Sequence, residues 1–173
     1  PAAIFPAFPT VGMAWLFLDL EPGPLSIDTA SQVAVTALQA GLTPIARVPK
    51  GEFGMATRML DNGALGLVMP HINTAQEAKL LVSKLRFPPS GERSVFGGRP
   101  QFGGAPRPGS ETSEMRTRET RISAMVEPWE AVANAPKIAG GGGIDGVSGG
   151  KKEWVGEPDS TSACPLEIPF PLD

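Results

Sequence analysis

The stretch "WLFLDLEPGPLSIDTASQVAVTALQAGLTPIARV" (residues 15–48) holds a complete strand–helix–strand unit. "WLFLDL" is an almost continuous apolar run, the pattern of a strand covered on both faces. A Pro/Gly turn follows. "SIDTASQVAVTALQAG" then reads as a helix, with Ser26 or Asp28 near its N-cap and Gly41 at its stop. Ile27, Ala30, Val33, Ala34, Ala37 and Leu38 recur at helical spacing and give it one apolar face. "LTPIARV" (42–48) is the next strand. The first strand delivers Asp19 and Glu21 into the turn. Two carboxylates at the end of a buried strand are costly unless they are paired or used. The turn offers them no histidine, lysine or metal ligand.

The same rhythm continues along the chain. "EFGMATRMLDNG" reads as a helix ending near Gly63, "ALGLVMP" as a strand, and "NTAQEAKLLVSKLRF" as the clearest helix. Thr74 and Glu77 there have capping-box spacing. "RSVFGG" is a further short strand, "RISAMVE" a longer one, "PWEAVANAPKIAG" a helix opened by Pro128, and "GIDGVSGG" a weaker strand. That makes about six strands, the firmest at roughly 15–19, 43–48, 65–69 and 122–127. Strands alternating with helices mean βαβ units and a parallel sheet. No G-x-G-x-x-G or P-loop follows any strand, which disfavours a nucleotide-binding doubly wound sheet. Instead Asp19, Glu21, Arg47, His71, Arg93 and Glu127 stand where different strands end, the way a (β/α)8 barrel builds its site.

Bulk composition narrows the classes. The 173 residues suit one domain, with 41% hydrophobic content. A net charge of -3 argues against nucleic acid, which needs a clustered basic face. No apolar run reaches the roughly 18 residues of a membrane span, and no signal-like segment opens the chain. Cys164 is the single cysteine, which excludes an intrachain disulfide and fits a reducing, cytoplasmic setting. Gly (21) and Pro (19) concentrate at 96–109 and 140–172, which read as loop. Tyrosine is absent, a fact for which we have no physical account.

Several longer segments keep a shared register with one known family. "WLFLDLE" with "GPLS" after residue 22, "PIARVP", "MLDNGALGLVMPHINTAQEAKLLV", "LRFPPSGERSV" and "MVEPWEAVANAPKIA" resemble the metal-dependent class II pyruvate aldolases of the 2,4-dihydroxyhept-2-enedioate aldolase type. Citrate lyase and macrophomate synthase share that barrel superfamily. The resemblance runs from about residue 12 to residue 150 and leaves 151–173 unassigned. It implies one (β/α)8 barrel domain over residues 1–173, a homo-oligomer (often a hexamer), and Mg²⁺, Mn²⁺ or Co²⁺ as cofactor. It also implies reversible cleavage of a 4-hydroxy-2-oxo acid to pyruvate and an aldehyde.

By this resemblance Glu127 is the first metal-binding carboxylate, the alternative being a solvated strand-end glutamate. Arg47 matches the arginine that holds pyruvate and its enolate, a task suited to a planar fork of donors. Asp61 matches an aspartate that pairs with the family's active-site histidine, its plain reading being a polar helix end. Arg93, with Gly97 and Gly98, falls in a segment that lines the site and would contact a substrate carboxylate. His71 is the only histidine and reads as a structural or rim residue rather than a ligand. The run "RTRETR" (116–121) reads as solvated, Trp15 as core, and Trp129 as packed on the helix it opens.

The departures are as informative. Where the family has Asp-x-Glu-His, residues 19–22 are "DLEP", so Pro22 replaces the histidine and Asp61 loses its expected partner. Ungapped counting places Glu153 at the second metal ligand, normally an aspartate. The last two barrel strands have no recognisable counterpart, so the barrel is expected to be incomplete at its C-terminal strands. Two readings follow: a divalent-metal-dependent pyruvate aldolase, or an impaired or non-catalytic relative that acts in assembly or ligand binding. A third is that the sequence departs from the full polypeptide, which an intact mass would reveal.

Overall fold

The computed structural model describes residue 5 and residues 7–95, 100–103 and 108–149. Its elements run β1 (Trp15–Asp19), α1 (Ile27–Gln39), β2 (Thr43–Arg47), α2 (Phe53–Asp61), β3 (Gly66–Met69) and α3 (Ala75–Leu85). Then come α4 (Gly109–Glu119), β4 (Arg121–Val126), α5 (Trp129–Ala139) and β5 (Gly146–Gly149). Every strand pairing is parallel, and the five strands lie in the sheet in their sequence order.

That order decides the architecture. Parallel crossovers are right-handed, so steps that always advance in one direction put their helices on one side. A doubly wound sheet would reverse at a switch point. Here α1 packs on α2, α2 on α3, and α3 on α5, one helical layer over one face. The sheet is therefore an arc of a (β/α)8 barrel.

The period of two along each strand then sorts the side chains. Leu18, Ala46, Leu67, Met69, Ile122, Ala124 and Val126 are buried in a common core with Met59, Leu60, Leu81 and Ile138 from the helices. The alternate set faces away from the helices: Trp15, Phe17 and Asp19, then Thr43, Ile45 and Arg47, then Ser123 and Met125, with Glu127 next in line. Trp15 is thus 56% exposed, not core, because it belongs to the open face. Gly66 leaves room for a close neighbour in this packing. It lies opposite Ile45, and a Cβ there would sit 3.0 Å from the Ile45 Cγ1.

Two local signals behave as chemistry requires. Ser26 caps α1, its hydroxyl accepting from the Thr29 N–H at 3.2 Å. On α3 the Thr74 Oγ1 accepts from the Glu77 N–H at 3.2 Å, and Glu77 Oε2 accepts from the Thr74 N–H at 3.0 Å. Removing that cap in Thr74→Ala is expected to cost about 1 kcal/mol, which is a fall of about 3 °C in melting temperature. Thr74→Ser should melt like the native chain in circular dichroism. An unchanged melt in Thr74→Ala would mean that the cap adds nothing.

Other expectations are corrected. Residues 109–119 form helix α4, and Arg116 is buried, donating from Nη2 to the Leu60 carbonyl at 2.5 Å, so "RTRETR" is not simply solvated. Trp129 is 70% exposed rather than packed on α5. The start of "RSVFGG" (93–95) forms no strand, and its remainder, with Gly97 and Gly98, lies outside the described residues. Five strands are found among the described residues rather than about six. Glu153 and Cys164 also lie outside the described residues. No helix among them is long and apolar enough to cross a membrane.

Candidate active site

Asp19 and Arg47 are register partners at the carboxyl ends of β1 and β2. Parallel pairing sets their side chains next to each other on the open face, and they form a two-point pair. Arg47 Nε donates to Asp19 Oδ1 at 2.9 Å and Nη2 to Oδ2 at 2.5 Å. Such fork-to-carboxylate pairs are the strong, geometrically defined kind. Asp19 Oδ1 also accepts from the Glu21 N–H at 3.2 Å, which fixes the turn after β1. Glu21 Oε2 then lies 3.3 Å from Arg47 Nη1, and Met125 Sδ lies 3.6 Å from the same nitrogen.

The pair holds both charges in place. The Arg47 hydrogen bonds keep the Asp19 carboxyl below its ordinary range, against the opposing effect of burial. The Asp19 hydrogen bond raises the Arg47 guanidinium above its ordinary value, with Glu21 and Glu127 adding to it. Arg47 is thus a fixed cation on the open face.

Glu127 follows β4 directly, and its side chain is only 11% exposed. His71 follows β3 after Pro70, and its Nδ1 meets Glu127 Oε2. The other ring nitrogen, Nε2, lies 3.8 Å from Glu21 Oε1. A chain of contacts therefore runs Asp19–Arg47–Glu21–His71–Glu127 across the ends of four strands. Asp19, Arg47 and Glu127 were expected to converge there. Glu21 and His71 were also read at strand ends but given no part in the chemistry, and His71, read as a structural or rim residue, contacts Glu127. The signal available was its place directly after an apolar strand ending in Pro70.

Asp61 and Arg93 lie elsewhere. Asp61 closes α2 and leads into the start of β3, so it stands at the amino ends of the strands, opposite the Arg47 cluster. It does not lack a partner: the Arg93 guanidinium pairs with Asp61. Arg93 is buried, 4.7 Å over the Phe87 ring, and burial with nearby Arg86 lowers its pKa to about 10. It stays protonated at neutral pH. Arg86 is also buried there, donating to the Gly143, Thr117 and Thr120 carbonyls and to Asp145 at 2.5 Å. Within this chain that end ties helices to strands, and neither Asp61 nor Arg93 reaches the open site.

One carboxylate at the site, Glu127, fits a hard divalent cation, while Asp19 and Glu21 face Arg47. Asp19, Glu21 and Glu127 bring three carboxylates to one guanidinium and one imidazole, and such ions prefer oxygen ligands. Among the described residues no three His, Cys, Asp or Glu side chains are grouped closely enough to hold a metal by themselves. Glu127 is the buried carboxylate of the set, and further ligands would come from water, substrate or residues outside those described.

Comparison with known proteins identifies the family. The chain is 37% identical over 136 residues to the 4-hydroxy-4-methyl-2-oxoglutarate aldolase of Hapsidospora irregularis, covering 78% of this chain and 50% of the relative. The chain spans about half the length of the curated relatives it matches. An HpcH/HpaI aldolase from Desulfitobacterium hafniense superposes with a TM-score of 0.81 at 26% identity, over 88% of this chain and 58% of that one. Macrophomate synthase shares the fold, with a TM-score of 0.70 at 22% identity over 87% of this chain and 52% of that one. The family model described as HpcH/HpaI aldolase/citrate lyase matches residues 2–157. With its barrel arc and its strand-end cluster, the chain belongs to the HpcH/HpaI aldolase/citrate lyase family.

Proposed function

We propose that this chain carries the site of a divalent-metal-dependent carbon–carbon lyase, which reversibly cleaves a 4-hydroxy-2-oxo acid to pyruvate and an aldehyde. The observation that carries the reading is the meeting of Asp19, Arg47 and Glu127 at the ends of β1, β2 and β4. In the cleavage direction the 4-hydroxyl loses its proton and the C3–C4 bond breaks. Its electron pair passes to C3 and the 2-oxo oxygen as the pyruvate enolate, which then takes up a proton.

Each residue has a part that its geometry fits. Arg47, held by Asp19 without exhausting its five N–H donors, presents a fixed positive fork to the carboxylate and developing enolate oxygen. Asp19 keeps that fork oriented. Glu127 would hold the cation, with Glu153 as a further proposed ligand. When bound, the ion supplies Lewis-acid polarisation of the 2-oxo group. Asp61 and Arg93 act on this reading through structure rather than contact with substrate.

Glu127→Gln keeps the shape but loses the charge that attracts a cation. In the native chain Mn²⁺ should raise the melting temperature, and in Glu127→Gln that rise should vanish. Equal responses of the two proteins to Mn²⁺ would remove Glu127 from the site. A second reading, an impaired family member serving assembly or ligand binding, is favoured by Pro22, exposed at the turn where the family has histidine. A homo-oligomer in a cytoplasmic setting completes the proposal, supported by the family and by a single cysteine in 173 residues.

A further inference from the structure

We propose that residues 166–172 of this chain add, as an extended antiparallel segment, to the free edge of β1. The sheet supplies the docking surface. β1 is its outermost strand, with β2 as its only strand neighbour among the described residues. The Ala14 carbonyl accepts from the Thr43 N–H, and the Leu20 N–H donates to the Arg47 carbonyl, each at 2.9 Å, so both groups face β2. Alternation along the strand then turns the N–H groups and carbonyls of Trp15 and Phe17 the other way, toward the edge. Their side chains are exposed on the open face beside them. A bare edge carrying apolar side chains is a template for another strand.

The chain outside the described residues holds a sequence that fits this edge. In "PLEIPFPLD" (165–173), Leu166, Ile168, Phe170 and Leu172 stand at alternate positions, with Pro165, Pro169 and Pro171 in the other register. Proline pushes the residue before it into extended backbone, which biases Ile168 and Phe170 toward a strand. A proline is tolerated in a sheet only where its missing N–H faces away from the neighbouring strand. These prolines share one parity, so the N–H groups of the apolar residues can all turn to β1 while the prolines face outward. Antiparallel pairing makes the apolar residues hydrogen-bonded partners of Trp15 and Phe17, with their side chains on the same open face. Reach is ample. Residues 150–165, fully extended, span about 50 Å, against about 19 Å for the strand spacings from β5 back to β1. A closed edge also steadies the strand that delivers Asp19.

The test is backbone amide hydrogen exchange of the full chain, followed by NMR. The Trp15 and Phe17 N–H groups should be protected in the native chain. That protection should be lost in Ile168→Pro and in Phe170→Pro, each of which removes a donor facing β1. Glu167→Pro removes an N–H that faces outward and should leave the protection in place. The Leu16 and Leu18 amides, which face β2, should stay protected in all four proteins and so report an intact sheet. Free exchange of Trp15 and Phe17 in the native chain would overturn the pairing, as would equal losses in Glu167→Pro and Ile168→Pro. Protection that disappears on dilution would assign the edge to a second copy of the chain, and would overturn it too.

Discussion

Exchanging Arg47 for lysine is expected to cut pyruvate release by roughly 10²–10³-fold, although the charge is kept. The guanidinium gives Asp19 two parallel hydrogen bonds, from Nε at 2.9 Å and Nη2 at 2.5 Å. An ammonium is a point charge that cannot reproduce this fork and still present donors to a substrate oxyanion. The expected loss lies mainly in kcat, because the developing enolate carries more charge on oxygen than the ground-state ketone. The assay is pyruvate release from a 4-hydroxy-2-oxo acid with Mn²⁺, best run in a Pro22→His background where turnover is larger. A change confined to KM would mean that Arg47 binds substrate and transition state alike. An unchanged rate would remove it from the reaction.

Much of the arc was readable because its strands are covered. "WLFLDL", "LTPIARV", "ALGLVMP" and "RISAMVE" are compact apolar runs between turn signals, and they appear as β1 to β4 within a residue or two at each end. Asp19, Arg47 and Glu127 were readable too, since the period of two puts strand-end residues of adjacent parallel strands on one face. Helix α4 was not. "GSETSEMRTRE" has no apolar face, and the acceptor for Arg116 is the Leu60 carbonyl, 56 residues away. His71 was obscured for a related reason. A lone histidine makes no pattern, and its φ of 56° and its contact with Glu127 are tertiary facts. Asp61 shows the opposite case, because its place before a strand already put it at the amino ends of the sheet. Resemblance matched it to an aspartate whose histidine partner is replaced here by Pro22, and in this chain Arg93 pairs with it.

The substitution at residue 22 carries the other large effect. The native chain is expected to be a poor aldolase, and Pro22→His to raise retro-aldol turnover at least about tenfold, since a positioned general acid or base contributes ~10²–10⁴-fold. Pro22 has no side-chain proton to give or take. It directly follows Glu21, whose carboxylate lies 3.3 Å from Arg47 and 3.8 Å from the His71 ring. A histidine there enters the end of β1 beside the cluster already assembled around Asp19. The exchange breaks no backbone hydrogen bond, because proline has no N–H, and residue 22 is exposed, so the fold should tolerate it. The comparison is pyruvate release by both proteins with Mn²⁺, together with their melting temperatures to confirm equal folding. Robust native turnover that Pro22→His leaves unchanged would show that another group moves the proton. Asp19 and Glu21 would then belong to a working site rather than to a scaffold around a missing base.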